Sequence, residues 1–490
     1  MTQELPRAYW ISPEMQAAID SVPGGSIRFV KEYDRESGTI AVDFLRLSPE
    51  ALEVLARLLR EKREQVLARR SVRDIVEVLD KVAKKWLSAS YAPRVTAIQQ
   101  ISAITGFSPE MVEHSIDLEQ VSSQGPHLLH ALTNELGNPS YLDDFLLNDN
   151  LGGYSRAVGP ELVGAIFSSN IPALPHLEVM RAFLVKAACL GRVSAGEPLF
   201  LSLYARSLAE IDPELAACLA VVYWERNDME AESAFLKSID YLVAYGGELQ
   251  TRRLLSVKPP GLEATWHGHK LGFSYICQDA LSRTGVQELA RKVAYDFSIF
   301  DGFACLCPQV CLVERNGEVT PLEFAKACST EMEYWARRLP PRCLEFSDAA
   351  NKHRQRDLLF MQESMNDNFQ VIAAPDDYAF TVVLEETGRF EPTSGDRFLK
   401  VVPVNDFAGV ESIIKPLGKS YLQCAAVASG ETCFFELRRI LARWGVSRVV
   451  SPGMMATPSM MWHHDGVSCL GKMVTWCDHE LMLPEELLGQ

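Results

Sequence analysis

The strongest constraint on the fold is an alternation of short apolar segments with helical segments that begins at about residue 160. The predicted strands are 162–167, 217–223 and 241–245. The helices predicted to follow them are 171–190, 229–237 and 248–255. Such alternation indicates a parallel sheet with helices on its faces, in which ligands bind beyond the carboxyl ends of the strands. Asn170 and the turn Gly246-Gly247 are predicted to lie at that edge.

A second alternating block follows, so we predict a second α/β unit. Its helices are predicted from about residue 287 and over 321–338, and its strands over 310–314, 378–385 and 399–404. The polar stretch 340–377 is predicted to be a surface excursion. The region before residue 125 is predicted to be mostly helical after residue 47, with Ser48-Pro49-Glu50 supplying the cap, proline and acid of a helix start. Further helices are predicted to begin at Ser71 and at Ser108-Pro109-Glu110. We expect no chemistry in this N-terminal region.

Composition limits the partners and the compartment. The chain has 490 residues and a formal net charge of −16, which disfavours binding to nucleic acid or to an anionic membrane surface. No apolar run approaches the roughly 18 residues that a membrane span needs. The N-terminus lacks the basic and apolar regions of a signal peptide. The 12 cysteines therefore predict reduced thiols in a cytoplasmic protein rather than a disulfide framework.

The segment 300–309, FDGFACLCPQ, holds the best candidate nucleophile. A cysteine after a glycine turn and before a buried strand can present its sulfur at a sheet edge, where backbone N–H groups stabilise a thiolate and a nearby oxyanion. A buried structural cysteine is the commoner interpretation of these residues alone. Cys305, Cys307 and Cys311 have the spacing C-x-C-x3-C, which lacks the paired C-x-x-C of zinc sites. We therefore predict no metal here.

The same segment resembles the cysteine loop of the aldehyde dehydrogenase superfamily, and most closely that of its LuxC-type fatty acyl-CoA reductases. The A-C-L-S-P-Q of that branch corresponds to 304–309, with Cys307 in place of serine. The resemblance extends over about residues 130–480. It implies that Cys305 is the acyl-accepting nucleophile and that Cys307 is only its neighbour.

Other segments follow in the order that the family requires. Ser169-Asn170-Ile171-Pro172 resembles the asparagine motif whose side-chain amide helps to bind the thioester oxyanion, although a turn residue that ends a strand would give the same pattern. The segment 243–247, VAYGG, resembles the turn under the cofactor pyrophosphate and implies a role for Gly246 and Gly247. A plain strand-to-helix turn would also use these glycines.

The segment 191–198 resembles the strand end that meets the adenosine ribose, although an ordinary polar loop is an equal alternative. Arg192 stands where the superfamily usually has lysine, and a guanidinium can bind a 2′-phosphate through two charge-assisted hydrogen bonds. Ser194 can add a hydroxyl donor. Glu197 would favour NADH if it faced the ribose, but we expect it to turn away. The resemblance thus implies NADPH as the cofactor.

Two histidine-containing segments remain open. In 462–466, WHHDG, neighbouring residues point apart, so His463, His464 and Asp465 are predicted to be hydrogen-bonding or wall residues and not a metal site. In 266–270, WHGHK, the segment lacks the glutamate with which hydrolytic relatives activate water. This loss fits reduction better than acid release. His267 or His269 could still serve as a base, although polar turn residues are the commoner interpretation.

The resemblance implies an α/β, aldehyde dehydrogenase-like fold with a Rossmann-type cofactor domain, a catalytic α/β domain and a small oligomerisation arm. The corresponding ranges are 1–125 for the N-terminal region, 126–275 for the cofactor domain with part of the arm, 276–445 for the catalytic domain and 446–490 for the C-terminal return and arm. The implied activity is reduction of an acyl-CoA or acyl-carrier thioester to an aldehyde by a homo-oligomer, with an acyl-protein synthetase as a possible partner. Two alternatives are an aldehyde dehydrogenase that forms the acid and an inactive scaffold that binds such a synthetase.

Overall fold

A computed structural model describes residues 5–35, 38–374, 378–393 and 395–481. Its strands are β1 Ser26–Arg35, β2 Gly38–Leu47, β3 Leu146–Asn148, β4 Gly153–Val158, β5 Leu162–Ile166, β6 Ala188–Arg192, β7 Leu219–Val222, β8 Tyr241–Tyr245, β9 Glu263–His267, β10 Leu271–Ile276, β11 Pro308–Glu314, β12 Phe369–Ala373, β13 Thr381–Glu385, β14 Phe398–Val404, β15 Leu422–Ala428, β16 Arg448–Val450 and β17 Thr475–Glu480.

The α-helices are α1 Pro13–Asp20, α2 Pro49–Gln65, α3 Val72–Trp86, α4 Ala92–Thr105, α5 Pro109–Ser122, α6 Gly125–Leu136, α7 His176–Leu184, α8 Phe200–Ile211, α9 Pro213–Ala216, α10 Met229–Ser238, α11 Glu248–Val257, α12 Val286–Ser298, α13 Pro321–Arg338, α14 Phe346–Met365, α15 Phe407–Ile414 and α16 Glu431–Arg443. Short 3-10 turns lie at Pro139–Leu142, Gln278–Ala280, Ile299–Gly302, Lys415–Leu417 and His464–Gly466.

A five-stranded parallel sheet has the order β7-β6-β5-β8-β9. The chain runs outward from β5 in both directions, so a topological switch point lies between β5 and β8, where such sheets bind dinucleotides. The helix predicted to follow Ile171-Pro172 and to run through Leu190 is wrong beyond Leu184. The helix α7 ends at Leu184, Lys186 has a φ of 59°, and the chain reverses into β6, which pairs with β5 and β7. Pairing on both edges of β6 outweighs the local helical pattern.

The second sheet has seven strands in the order β12-β13-β14-β11-β10-β15-β16, and only β12 is antiparallel to its neighbour. The polar stretch 340–377, predicted as an excursion, contributes α14 and the edge strand β12, and its residues 375–377 lie outside the described ones. The predicted boundary between the cofactor domain and the catalytic domain, at residues 275/276, falls inside the end of β10, which is a strand of this sheet. The strand β16 also belongs to it, although it lies within the predicted C-terminal segment.

The remaining strands form the hairpin β1-β2 and a three-stranded antiparallel sheet, β17-β4-β3. The predicted helix starts are confirmed: Ser48, Ser71 and Ser108 each cap a helix through the side-chain oxygen. The N-terminal helices share one apolar core with the five-stranded sheet, while separate cores cover the two faces of the seven-stranded sheet. None of the helices in the described ranges combines the length and apolar character that a bilayer crossing needs.

Candidate active site

A cleft of about 1800 Å³ lies between the two parallel sheets. The carboxyl ends of all five strands of the first sheet open onto it. From β5 to β9 they contribute Asn170, Arg192 with Ser194, Tyr223, Gly246 with Gly247, and His267. The opposite wall carries the cysteine loop, with Cys305. The six predicted site residues therefore line one cleft, at the sheet edge that the strand order predicts.

The backbone of the cysteine loop is strained. Phe300, Asp301 and Gly302 have φ values of 51°, 49° and 77°, a left-handed region that L side chains rarely adopt. The Asp301 carboxylate accepts a 2.6 Å hydrogen bond from Nε of Arg397 and a 2.8 Å bond from the backbone N–H of Arg342. The side chains of Asp301 and Arg397 are 1% and 0% exposed. This buried ion pair holds the loop in a shape that its local sequence disfavours.

Only one of the three neighbouring thiols faces the cleft. Cys305 is partly exposed and lines the cleft. Cys307 is buried, and its thiol donates to the carbonyl of Ile299, 3.4 Å away. Cys311 is buried within β11. The geometry agrees with Cys305 as the nucleophile and leaves Cys307 as a packed neighbour. The cysteines whose side chains the structure describes are all free.

The Cys305 thiol is held in its neutral form. Burial, and after it the nearby Asp465 carboxylate, raise the pKa of this thiol to about 12. A hydrogen bond from the Gln423 side chain and one from the Cys305 backbone N–H lower this pKa, but by less. The thiol must therefore lose its proton to another group before it can attack, because the thiolate is the nucleophilic form.

Asn170 reaches the cysteine loop. Its Nδ2 donates a 3.2 Å hydrogen bond to the carbonyl of Phe303, two residues before Cys305. The loop that carries Asn170 is fixed from the other side, because Oγ of Ser115 donates to the carbonyl of Pro172 at 2.6 Å. An amide has two N–H donors, so one remains for an oxyanion at Cys305.

At the end of β6, Arg192 is 6% exposed, and its Nε and Nη2 both donate to the carbonyl of Trp224, at 3.0 and 2.8 Å. Ser194 accepts a hydrogen bond from the backbone of Gly196. Glu197 turns inward, and its carboxylate accepts the backbone N–H groups of Leu199 and Phe200. The carboxylate of Glu197, the acid nearest in sequence to Arg192, is therefore occupied by the backbone at the start of α8.

Gly246 and Gly247 form the turn between β8 and α11. The N–H of Gly246 donates to the carbonyl of His267 at 3.1 Å, and Gly247 is the N-cap of α11. A Cβ on Gly246 would come within 2.8 Å of Oε1 of Gln250, whereas one on Gly247 would meet nothing within 4 Å. The first turn of α11 lines the cleft, so its free N–H groups make an anion-binding end there.

Sequence reasoning missed a polar cluster beside Cys305. The Nδ1 of His267 is 2.8 Å from Oδ2 of Asp465, and Oδ1 of the same carboxylate accepts from the amide of Gln423. The ring of His464 stacks on His267 with centroids 3.8 Å apart. Asp465 therefore has the hydrogen-bonding role that was one of the two predicted for it, and His267 is the last residue of β9 rather than a turn residue. In the sequence, His267 drew notice only because the segment 266–270 resembles a segment in which hydrolytic relatives have a glutamate.

The N-terminal region also contributes to the site, against expectation. The helix α5 lines the cleft with His114, Asp117, Leu118, Glu119 and Val121. This helix packs across the loop of Asn170, as the bond from Ser115 shows. Nothing in the local pattern of α5 distinguishes it from a structural helix, because its role comes from the segment it packs against.

The family comparison identifies relatives over most of the chain. The family model described as Acyl-CoA reductase (LuxC) matches residues 67–476. A long-chain acyl-protein thioester reductase from Photorhabdus luminescens is 25% identical over 417 residues, which are 83% of this chain and 82% of that protein. One from Aliivibrio fischeri is 25% identical over 414 residues, which are 84% of this chain and 82% of that protein.

Solved structures show the fold. An NAD-dependent benzaldehyde dehydrogenase from Corynebacterium glutamicum has a TM-score of 0.67 at 12% identity, over 92% of this chain and 95% of that one. Aldehyde dehydrogenase C from Pseudomonas syringae, solved as a mutant with NAD+ and octanal, has a TM-score of 0.68 at 14% identity, over 94% of each chain. The predicted aldehyde dehydrogenase-like α/β fold is therefore confirmed.

The buried ion pair predicts a measurable coupling. Asp301→Asn leaves the Arg397 charge buried without its counter-ion, so we expect it to lower the free energy of unfolding by about 3–5 kcal/mol. The double variant Asp301→Asn/Arg397→Met removes the uncompensated charge and should be more stable than the sum of the two single variants. Thermal and urea unfolding of the four proteins measure this coupling. A single-variant cost below about 1 kcal/mol, or strict additivity, would contradict the role of the pair.

Proposed function

Because the chain belongs to the acyl-CoA reductase (LuxC) family, we propose that it reduces an acyl thioester to the corresponding aldehyde. The observation that carries this proposal is the placement of Cys305 across one cleft from the strand ends of a five-stranded parallel sheet. A nucleophile and a dinucleotide site on facing walls are what a hydride transfer to an enzyme-bound acyl group requires.

The proposed mechanism begins on Cys305. Its thiolate attacks the thioester carbonyl, the acyl–sulfur bond forms, and the carrier thiol leaves. The free N–H of Asn170 and the backbone N–H of Cys305, which faces its own sulfur, stabilise the oxyanion. A nicotinamide held in the cleft would supply the hydride that converts the acyl-cysteine to the anion of a thiohemiacetal. Cys305 then leaves as a thiolate and the aldehyde is released.

The residues present fit a nicotinamide dinucleotide. Gly247 has open space and caps α11, so a pyrophosphate can approach the N–H groups of the first helical turn. Ser194 and Arg192 lie at the end of β6, where the adenosine ribose of such a cofactor would lie. We propose that Gly246, Gly247, Arg192 and Ser194 hold the cofactor.

NADPH is the proposed form of the cofactor. Two observations support it: the carboxylate of Glu197 accepts the N–H groups at the start of α8, and Arg192, held by the carbonyl of Trp224, makes no hydrogen bond through Nη1 to the described residues. Arg226, which is exposed and lines the same part of the cleft, adds a second positive charge. Charged donors favour a 2′-phosphate over a ribose hydroxyl.

The acyl group is proposed to bind beside α5. Apolar side chains line that part of the cleft. They come from α5, from the chain that follows Asn170 into α7, and from the segment 460–462: Leu118, Val121, Leu174, Leu177, Met460 and Trp462. The names of the relatives, long-chain acyl-protein thioester reductases, favour a long acyl chain. The carrier is CoA or a protein thiol, and an acyl-protein synthetase is the proposed source in the second case. We place the enzyme in the cytoplasm as a homo-oligomer.

One pair of assays tests the direction of the reaction. Acyl-CoA with NADPH should give aldehyde and oxidised cofactor, at a rate well above that of aldehyde with NADP+ giving acid. If the second reaction is faster, the chain is an acid-forming aldehyde dehydrogenase. If neither proceeds and no cysteine reacts unusually fast with a thiol reagent, it is an inactive scaffold.

The nucleophile is tested by substitution and labelling. Cys305→Ala should abolish both acyl labelling and aldehyde formation, because it removes the sulfur that faces the cleft. Cys307→Ser is the matched control and should retain much of both, since its thiol is buried against Ile299. Incubation with radiolabelled acyl-CoA without cofactor, followed by peptide mapping, locates the acyl group. Label on Cys307 or Cys311 would refute the assignment.

The oxyanion donor is tested at Asn170. We expect Asn170→Ala to lower turnover by about a hundredfold or more, the usual cost of losing one such donor. Folding should be little affected, which thermal unfolding checks. Asn351→Ala, at an exposed position of α14, is the control. Near-normal turnover of Asn170→Ala would make Asn170 a turn residue only.

The cofactor preference is tested at Arg192. The wild-type kcat/KM should favour NADPH over NADH, and Arg192→Ala should reduce that preference about tenfold or more, since a charge-assisted hydrogen bond contributes about 1.5–3 kcal/mol. Equilibrium titration of cofactor binding without acyl substrate gives the same comparison independently of turnover. A wild-type preference for NADH, or an equal loss for both cofactors, would show that Arg192 does not recognise a 2′-phosphate.

A further inference from the structure

The proposed reaction leaves one proton unaccounted for. The sulfur of Cys305 must ionise to attack, yet its surroundings hold it as a neutral thiol. The end of β9 contributes His267 to the same cleft that Cys305 lines. The question is which side chain beside Cys305 can accept its proton.

Contacts lead from the sulfur to one imidazole. Gln423 hydrogen bonds both Cys305 and Oδ1 of Asp465. The other oxygen of Asp465 is 2.8 Å from Nδ1 of His267. The residues Cys305, Gln423, Asp465 and His267 all line the cleft, and the side chains of His267 and Asp465 are 5% and 6% exposed.

The pairing with Asp465 prepares His267 to accept a proton. A carboxylate at Nδ1 fixes the tautomer with hydrogen on that nitrogen, so the lone pair is on Nε2. Within the described residues, Nε2 makes no hydrogen bond to protein. The carboxylate also stabilises the imidazolium that forms. Asp465 is held in place by its own left-handed backbone, with a φ of 56°, and by Gln423.

The other groups near the sulfur are poorer acceptors. The hydrogen bond from His267 and the two imidazoles outweigh burial and keep the pKa of Asp465 below its ordinary value, so this carboxylate stays ionised. Burial lowers the pKa of His464 well below its ordinary value, and the imidazole of His267 lowers it further. His464 therefore stays neutral and acts as a stacking partner.

We propose that His267, paired with Asp465, accepts the proton of Cys305 during acyl transfer and returns it to the departing carrier thiol. This inference rests on the proposed function. The S–H bond of Cys305 breaks, its proton moves to Nε2 of His267, and the sulfur forms the acyl bond. The carrier leaves as a thiolate and takes the proton from the imidazolium, so no proton is gained or lost. His267 is catalytic, while Asp465 and Gln423 are positioning residues.

The same three residues do not form a good metal site. His267, His464 and Asp465 bring their ligand atoms within 4.8 Å of one another. Imidazole lone pairs lie in the ring plane, and these two rings are stacked at 3.8 Å with planes 21° apart. Their lone pairs therefore lie in separate, nearly parallel planes. One nitrogen of His267 is already bonded to Asp465, which leaves the cluster suited to proton transfer.

The test follows acyl transfer to Cys305 without cofactor, by release of the carrier thiol. His267→Gln should lower the rate at pH 7 by about 10²–10⁴-fold, the usual contribution of general base catalysis. The loss should shrink as the pH rises, because the thiol then ionises unaided. Added imidazole should restore part of the rate. His269→Gln, at an exposed position two residues away, is the matched control.

The variant Asp465→Asn distinguishes a role of Asp465 in positioning His267 from a role in folding. It retains hydrogen-bonding capacity but loses the charge, so it should show a smaller loss with the same pH dependence and a normal unfolding temperature. The pH profile also contains the other titratable groups around His267 and His464, which both variants leave unchanged: His464, Tyr245, Lys270, Arg181 and Glu178. A loss that is independent of pH and insensitive to imidazole would reduce His267 to a structural role.

Alkylation of Cys305 tests this inference independently of the proposed function. Iodoacetamide needs no acyl substrate, and His267→Gln should slow its reaction with Cys305 at pH 7 more than tenfold. If wild type fails to reduce acyl thioesters but shows this dependence, the proposed function fails and the proton acceptor stands. If His267→Gln alkylates and acylates like wild type across pH 6–9, the inference is wrong.

Discussion

The buried ion pair between Asp301 and Arg397 is the constraint on which the site depends. In the turn before Cys305, Phe300 and Asp301 have left-handed backbone, and such strain persists only where the surroundings fix it. The pair ties that turn to the segment before β14, while Asn170 holds the following carbonyl at Phe303 from the opposite sheet. Cys305 is thus fixed by contacts from both α/β units, and its sulfur faces the cleft between them.

The two walls of the cleft differ in their electrostatic character. The strand ends of the five-stranded sheet present glycines, a helix N-terminus and positive side chains, which suit an anionic cofactor. The wall around Cys305 is enclosed and raises the pKa of the thiol to about 12. Such a thiol is protected when no substrate is bound, and it requires a partner to ionise it. The Asp465–His267 pair, which Gln423 links to Cys305, is the partner that we propose.

Sequence patterns predicted the elements whose signals are local. The helix caps at Ser48 and Ser108 and the strand over 241–245 came from turn chemistry and apolar runs, and the fold class came from their alternation. The helix over 171–190 was wrong because β6 is specified by neighbours on both sides. Cys305 and Asn170 were singled out because 304–309 and 169–172 resemble family motifs, since a structural cysteine and a turn residue fit the same local patterns. The Asp301–Arg397 and His267–Asp465 pairs join residues 96 and 198 positions apart, so no local pattern contains them.

The central claim is that the acyl group passes through Cys305 and leaves as an aldehyde. The most direct measurement is a single turnover of isolated acyl-enzyme. Enzyme acylated without cofactor is separated from free acyl-CoA and carrier thiol, mixed with NADPH, and the products are quantified by mass spectrometry. We expect one aldehyde and one oxidised cofactor per acylated Cys305. Release of free acid, or failure of the isolated acyl-enzyme to react with NADPH, would contradict it.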